Sequence, residues 1–177
     1  SLYNTFNTCS GITSLDVSGW DTSKVTDMSS LFLNCSSLTT LDVSGWDTSA
    51  AQLMSGIFYG CSGLTSITGV ETLDVSAATT FNGLFRSCTG LTTLDLSGWV
   101  TTSLTDVKRM FQSASGLTTL NVSFSTALVN DMGVLFFGCT SLTDIVGVDA
   151  WDIGGLNGTG DLTNFATSVT LPTARYD

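Results

Sequence analysis

Any chemistry in this chain must come from carboxylates, hydroxyls and thiols, because it holds fifteen acids and five cysteines but no histidine. Asp16, Asp42 and Asp95 stand out among the acids. Each sits between small hydroxyl residues, in Ser14-Leu15-Asp16-Val17-Ser18, Thr40-Leu41-Asp42-Val43-Ser44 and Thr93-Leu94-Asp95-Leu96-Ser97. Carboxylates catalyse when a nucleophile or base and an orienting partner stand beside them. Here there is no G-x-S-x-G, P-loop or H-E-x-x-H, and the expectation is that the chain is not an enzyme. Oxygen ligands suit calcium, which makes Asp16, Asp42 and Asp95 the metal candidates and calcium the one cofactor to consider. The stretch GGLNGTGDL, from residue 154, invites comparison with glycine-aspartate calcium loops, but its spacing does not fit the nonapeptide pattern and favours a plain loop.

These residues recur because the chain is an array. CSSLTTLDVSGW (35–46) returns as CSGITSLDVSGW (9–20) and CTGLTTLDLSGW (88–99), and more loosely from Cys61, Ala114 and Cys139. The phenylalanine three residues before each such start falls at Phe6, Phe32, Phe58, Phe85, Phe111 and Phe136, at steps of 25 to 27 residues. A fixed period in the twenties marks a solenoid, in which one unit cannot bury its apolar face alone and must stack on its neighbours. Ala114 takes a cysteine slot, so the cysteines read as buried, reduced packing residues. Disulfides or a metal between neighbouring repeats are the alternative.

Within a repeat, Leu38, Leu41 and Val43 follow L-x-x-L-x-L spacing, which turns them to one face of a short strand and leaves Thr40, Asp42 and Ser44 on the other. The Trp20, Trp46 and Trp99 slot is filled by Leu73 and Trp151 in other repeats, which reads as core; a surface aromatic ladder is the other reading. Phe124 fills that slot only approximately, because its repeat is one residue short. After a polar link, Val25, Met28, Leu31, Phe32 and Cys35 recur at three- and four-residue steps, which predicts an amphipathic helix of two to three turns, with Thr26 and Asp27 at its start. The expected fold is therefore an α/β solenoid of about six 26-residue repeats, with a parallel sheet on one face and short helices on the other. One extra residue before Leu73 and before Trp151 predicts two bulges on the same edge. The array spans residues 1–152 and starts mid-repeat; residues 153–177, rich in Gly and Thr, read as an exit segment.

The net charge of −10 disfavours partners that bind through phosphate, and no apolar run approaches the ~20 residues of a membrane span. Nucleic acid and membrane insertion are excluded as expected partners.

The repeat LDVSGWDTSKVTDMSSLFLNCSSLTTLDVSGWDTS (15–49) resembles the BspA-like leucine-rich repeats, the bacterial surface protein 26-residue family. Period, strand spacing, D-T-S link, D-M-S-x-x-F segment and cysteine slot all agree. The resemblance implies a cell-surface, secreted or phage virion protein whose role is adhesion or recognition, and it carries no catalytic residues. The closing LPTARYD is similar to a segment that follows such arrays in large marine bacterial and phage proteins.

Two functions are expected. The first is a recognition or adhesion module for a protein or glycan on a cell or virion surface, extracellular in location. Its ligand surface would be Ser14, Asp16, Ser18, Thr40, Asp42, Ser44, Thr93, Asp95, Ser97, Thr119, Asn121 and Ser123. The second is a structural spacer, such as a phage tail or fibre segment, packed against neighbouring subunits of a larger assembly. Ice binding by threonine ladders is disfavoured, because Asp interrupts each of these rows. Strand stacking would bring Asp16 and Asp42 to about 5 Å apart, a crowding to be relieved by a cation, by salt or by raised carboxyl pKa values.

Overall fold

The computed structural model describes residues 1–148 and Trp151; the expected exit segment lies outside the described residues. Five three-residue strands are present: β1 (Thr40–Asp42), β2 (Ser66–Thr68), β3 (Thr93–Asp95), β4 (Thr119–Asn121) and β5 (Asp144–Val146). They form two parallel sheets, β1-β2 and β3-β4-β5. Register follows the repeat, with Leu41 opposite Ile67 and Leu94 opposite Leu120. In β1 to β4 the central residue is buried and its flanks face outward, as alternation along a strand requires.

The expected helices are absent, and the α/β assignment is corrected on this point. No α-helix occurs among the described residues; the 3-10 turn Val70–Thr72 is the one helical element they cover in full. Residues 28–35 form a ribbon of consecutive turns instead. Every second N–H in it crosses to the next repeat: Met28 to the carbonyl of Leu53 (2.9 Å), Ser30 to Ser55 (2.8 Å), Phe32 to Ile57 (2.9 Å) and Asn34 to Tyr59 (2.6 Å). The N–H groups between them turn back three residues, Leu31 to Met28, Leu33 to Ser30 and Cys35 to Phe32. Two residues per ribbon hold the positive φ that such turns need at their third position, Ser30 and Asn34 here, Gly56 and Gly60 in the next repeat. A helix would direct these donors four residues back along its own chain, so the two patterns exclude each other. Asp27, expected to cap a helix, accepts the Ser29 N–H at 2.9 Å and opens the ribbon instead.

The ribbon still buries the 3- and 4-spaced stripe: Met28, Leu31, Phe32 and Cys35 are all buried. Phe6, Phe32, Phe58, Phe85, Phe111 and Phe136 stack face to face with centroids 5.5 to 6.0 Å apart, within the range favoured by offset aromatic pairs. The tryptophan slot forms a second column. Trp20 stacks on Trp46 at 6.1 Å, and beyond Leu73 the column resumes as Trp99, Phe124 and Trp151 at 6.4 and 5.5 Å. Phe124 thus fills its slot fully, despite the short repeat.

All five cysteines are free thiols, four of them buried and Cys9 half-buried. Each buried one donates to a phenylalanine carbonyl of the preceding repeat, Cys35 to Phe6 at 3.2 Å and Cys139 to Phe111 at 2.9 Å. Burial, with a neighbouring thiol adding to it, pushes Cys35 up to about 11 and Cys61 up to about 12.

The extra residue of the third repeat is taken up in the turn that Gly69 opens ahead of Val70–Thr72. Gly69, at φ 80°, lies so close to the previous repeat that a Cβ there would sit 2.5 Å from the Cα of Ser44. The Val70 carbonyl beside it accepts the Trp99 indole N–H at 2.8 Å.

Candidate functional site

The polar strand face is built on the buried leucine of each strand, which fixes the directions of its neighbours. Thr40 and Asp42 flank Leu41, and Thr93 and Asp95 flank Leu94, all exposed; Thr119 and Asn121 flank Leu120, half-buried. Ser14, Asp16 and Ser18 are exposed on the first repeat, which forms no strand. Ser44, Ser97 and Ser123 are also exposed.

One motif repeats at the end of four rungs, the first, second, fourth and fifth. Asp16 Oδ1 accepts both the Ser18 N–H (3.0 Å) and its hydroxyl (2.7 Å), and Asp42 Oδ1 does the same with Ser44 at 2.9 and 2.6 Å. Asp95 accepts the Ser97 N–H at 2.9 Å, and Asn121 accepts the Ser123 hydroxyl at 2.8 Å. These carboxylates end the strand by fixing the bend. Hydrogen bonds to the charged form favour it, and those from the Ser44 hydroxyl and N–H hold Asp42 below the ordinary 3.8, against the nearby charge of Asp16. Asp16 is lowered by Ser18 in the same way. The crowding is therefore not relieved by raised pKa values.

A second acidic row lies at the bend, where Asp21, Asp47 and Asp74 each accept from the serine two residues on and are likewise held low. Behind it stand buried threonines that staple repeats together: Thr22 donates to the Asp47 carbonyl at 2.9 Å and Thr48 to that of Asp74 at 2.8 Å.

The structure brings only some of the expected residues together. Thr93 is opposite Thr119 and Asp95 opposite Asn121, but Asp42 is opposite Thr68, and β2 and β3 are not paired. Asp95 is thus separated from Asp42 by a whole repeat and a break in the sheet. Among the described residues no three of His, Cys, Asp or Glu come together as a metal would require. Between the first two repeats lies an open cleft of about 450 Å³, bordered by Ser14, Asp16, Ser18, Thr40 and Asp42.

Sequence reasoning missed the row beside this face. Thr13, Thr39, Thr65, Thr92, Thr118 and Thr143 are all exposed, and no Asp interrupts them. Thr39, Thr65, Thr118 and Thr143 each donate their hydroxyl to the backbone carbonyl of the preceding row member, at 3.0 to 3.3 Å except for 2.9 Å at Thr118, which fixes their rotamers. The signal was the invariant second residue of L-T-T, L-T-S and I-T-S, passed over because it precedes the strand alternation.

The family described as "Mycoplasma protein of unknown function, DUF285" matches residues 1–119 and again 42–151. The chain belongs to this family. Its two overlapping matches are offset by more than one repeat, as an array of similar units allows, and DUF285 thus covers the whole of the strand face described above. No curated protein and no solved structure matches the chain.

Proposed function

We propose that this DUF285 array is a non-enzymatic recognition module for a protein or glycan, part of a larger extracellular or virion-surface protein, and that its repeats are of the BspA-like kind. One observation carries the reading: the outward positions of β1 to β4 are Thr, Ser, Asp and Asn, at the ~4.8 Å spacing of paired strands within each sheet. Side chains held by their own backbone lose little entropy on binding, so a flat surface of this kind is preorganised for hydrogen bonding. With the adjoining threonine row it suits an extended, hydroxyl-rich or amide-rich ligand better than an apolar one.

The test is to probe the immobilised chain against arrays of glycans and soluble surface proteins, then to repeat any positive with Thr93→Arg. Thr93 is exposed, so the arginine should weaken binding by about ten-fold or more, the loss of one well-placed contact, without moving Tm. Absence of any ligand, or equal binding by the variant, would leave the structural spacer as the better reading.

A further inference from the structure

The bend row changes character part-way along the array. The position after the tryptophan slot is Asp21, Asp47 and Asp74 in the first three repeats, then Val100 and Ser125. Four residues past the slot, Lys24 of the first repeat gives way to Ala50, Ala77, Ser103 and Leu128. Two positions that are charged in the first repeat are thus aliphatic where the fourth and fifth repeats meet, and neither side chain is packed away: Val100 is 61% and Leu128 58% exposed. Both border one open cleft of about 370 Å³, with the buried rings of Trp99 and Phe124 behind them.

The hydroxyls of this cleft are committed to its own walls. Thr101 donates to the Ser125 carbonyl at 2.6 Å, Thr102 to that of Ser76 at 2.9 Å and Ser123 to Asn121 at 2.8 Å. With these donors spent, the side chains left to meet a ligand are chiefly Val100, Ala127 and Leu128, all exposed. That lining suits an aliphatic group. The acidic part of the same row offers the opposite chemistry. Asp21, Asp47 and Asp74 are exposed, and each engages its serine through Oδ1, which leaves Oδ2 without a partner among the described residues.

We infer that the bend edge is a second docking surface, whose occupant is an extended peptide segment with aliphatic side chains in the Val100–Leu128 cleft and basic ones against Asp74, Asp47 and Asp21. Charge selects this occupant. A second copy of the chain carries a net charge of −10 and is repelled by the row, whereas Lys or Arg beside aliphatic residues answers both of its halves. The cleft is at the low end of the ~300–1,000 Å³ span of small-molecule sites and lies open along the surface, which favours side chains of a continuing chain over an enclosed ligand. The surface is separate from the strand face, and the inference does not rest on the reading of that face.

The test is fluorescence anisotropy of the full chain with three labelled synthetic peptides: Lys-Arg-Lys-Gly-Leu-Val-Leu, the same peptide with serine for its aliphatic residues, and the same with serine for its basic ones. The first should bind about ten-fold or more tighter than either of the others. Val100→Ser combined with Leu128→Ser installs the residues that Ser125 and Ser103 already supply in those slots. It should weaken the first peptide by about ten-fold or more with Tm unmoved, the loss of two aliphatic contacts. Asp47→Asn should weaken it by a smaller factor and flatten its salt dependence, and Thr93→Arg on the strand face should leave it unchanged. Binding by none of the peptides, equal binding by the one without aliphatic residues, or full affinity in the serine double variant overturns the inference. So does affinity lost in Thr93→Arg, which would put the peptide on the strand face. Dimerisation of the chain that the double variant abolishes would make a second copy the occupant, and overturns it as well.

Discussion

The strand side and the ribbon side of each repeat both bury apolar side chains, yet only one was recognisable. On the strand side, Leu41 alternates with exposed Thr40 and Asp42, and its backbone pairs with β2 residue for residue. On the ribbon side the buried residues recur at helical spacing, but alternate N–H groups leave for the next repeat. Apolar spacing thus reports which side chains share a face, whereas the destination of the backbone donors decides which element carries them. In a stacked array a neighbour 26 residues away competes with the residue four back.

The largest effects should separate the two sides by their packing. Phe85→Ala removes a ring stacked at 5.5 Å on Phe58 and 5.9 Å on Phe111, and should cost about 3–5 kcal/mol. Leu120→Ala, on the strand side, should fall within ~2–5 kcal/mol, without the added loss of aromatic pairs. Urea unfolding measures both. A smaller loss at Phe85 than at Leu120 would mean that the ribbon is the softer side.

Gly83→Ala tests the ribbon by sign. Gly83 has φ 63°, and a Cβ there would meet only Arg86 atoms at 3.8 and 4.0 Å, so no clash enters. In a helix interior this change would stabilise by about 1 kcal/mol, but at a left-handed position it should cost ~1–2 kcal/mol. A rise in Tm would restore the helix. Val134→Gly is the converse, since this β-branched residue is held at φ 51°; relieving it should add on the order of 1 kcal/mol, less the extra chain entropy of glycine.

The smallest effect concerns the acids of the strand side and bend. Asp16, Asp21, Asp42, Asp47 and Asp74 are all held below 3.8 by their serine partners. A carboxyl depressed on folding contributes stability that is fully present above 3.8 and is lost as pH falls through that value to the lower folded one. Stability should therefore be flat near neutral pH and decline in acid, and Ser44→Ala should make the decline shallower by loosening Asp42. An identical acid limb in Ser44→Ala would show that the motif contributes geometry only.

Much of the fold was legible. Leu41, Leu94 and Leu120 were placed in the core by strand spacing, the cysteines by the alanine that replaces one, and the tryptophan slot by Leu73; apart from the half-buried Cys9 and Trp20 of the first repeat, all are buried. The ribbon was also written in the chain, as Gly56, Gly60, Gly83 and Gly138 in positions where Ser30, Asn34, Ser87 and Ser113 stand elsewhere. Glycine, serine and asparagine are poor helix residues, and several share the left-handed region. A single-repeat reading weighs them lightly against the apolar stripe; aligning all six repeats would have weighed them together. For the candidate site, alternation predicted which strand residues face outward, but which of them meet across strands depended on register and on the break between β2 and β3, which no local pattern encodes.

The ribbon has an electrical consequence. Its inter-repeat N–H groups all point the same way, Leu2 toward Asp27, Met28 toward Leu53, Phe58 toward Leu84, Phe85 toward Met110 and Phe111 toward Leu135. Peptide dipoles of about 3.5 D aligned along one axis add up, as they do in a helix, but here the donors face the later repeats, so the positive pole lies at the C-terminal end of the column and the negative pole at the first repeat. Among the described residues the side chains reinforce that polarity: Asp16, Asp21, Asp27, Asp42, Asp47, Glu71 and Asp74 are opposed by Lys24 alone up to residue 75, whereas Arg86, Lys108 and Arg109 stand among Asp95, Asp106, Asp131 and Asp144. A cation approaching the molecule is drawn to the first three repeats, and in an electric field the array orients along its own stacking axis.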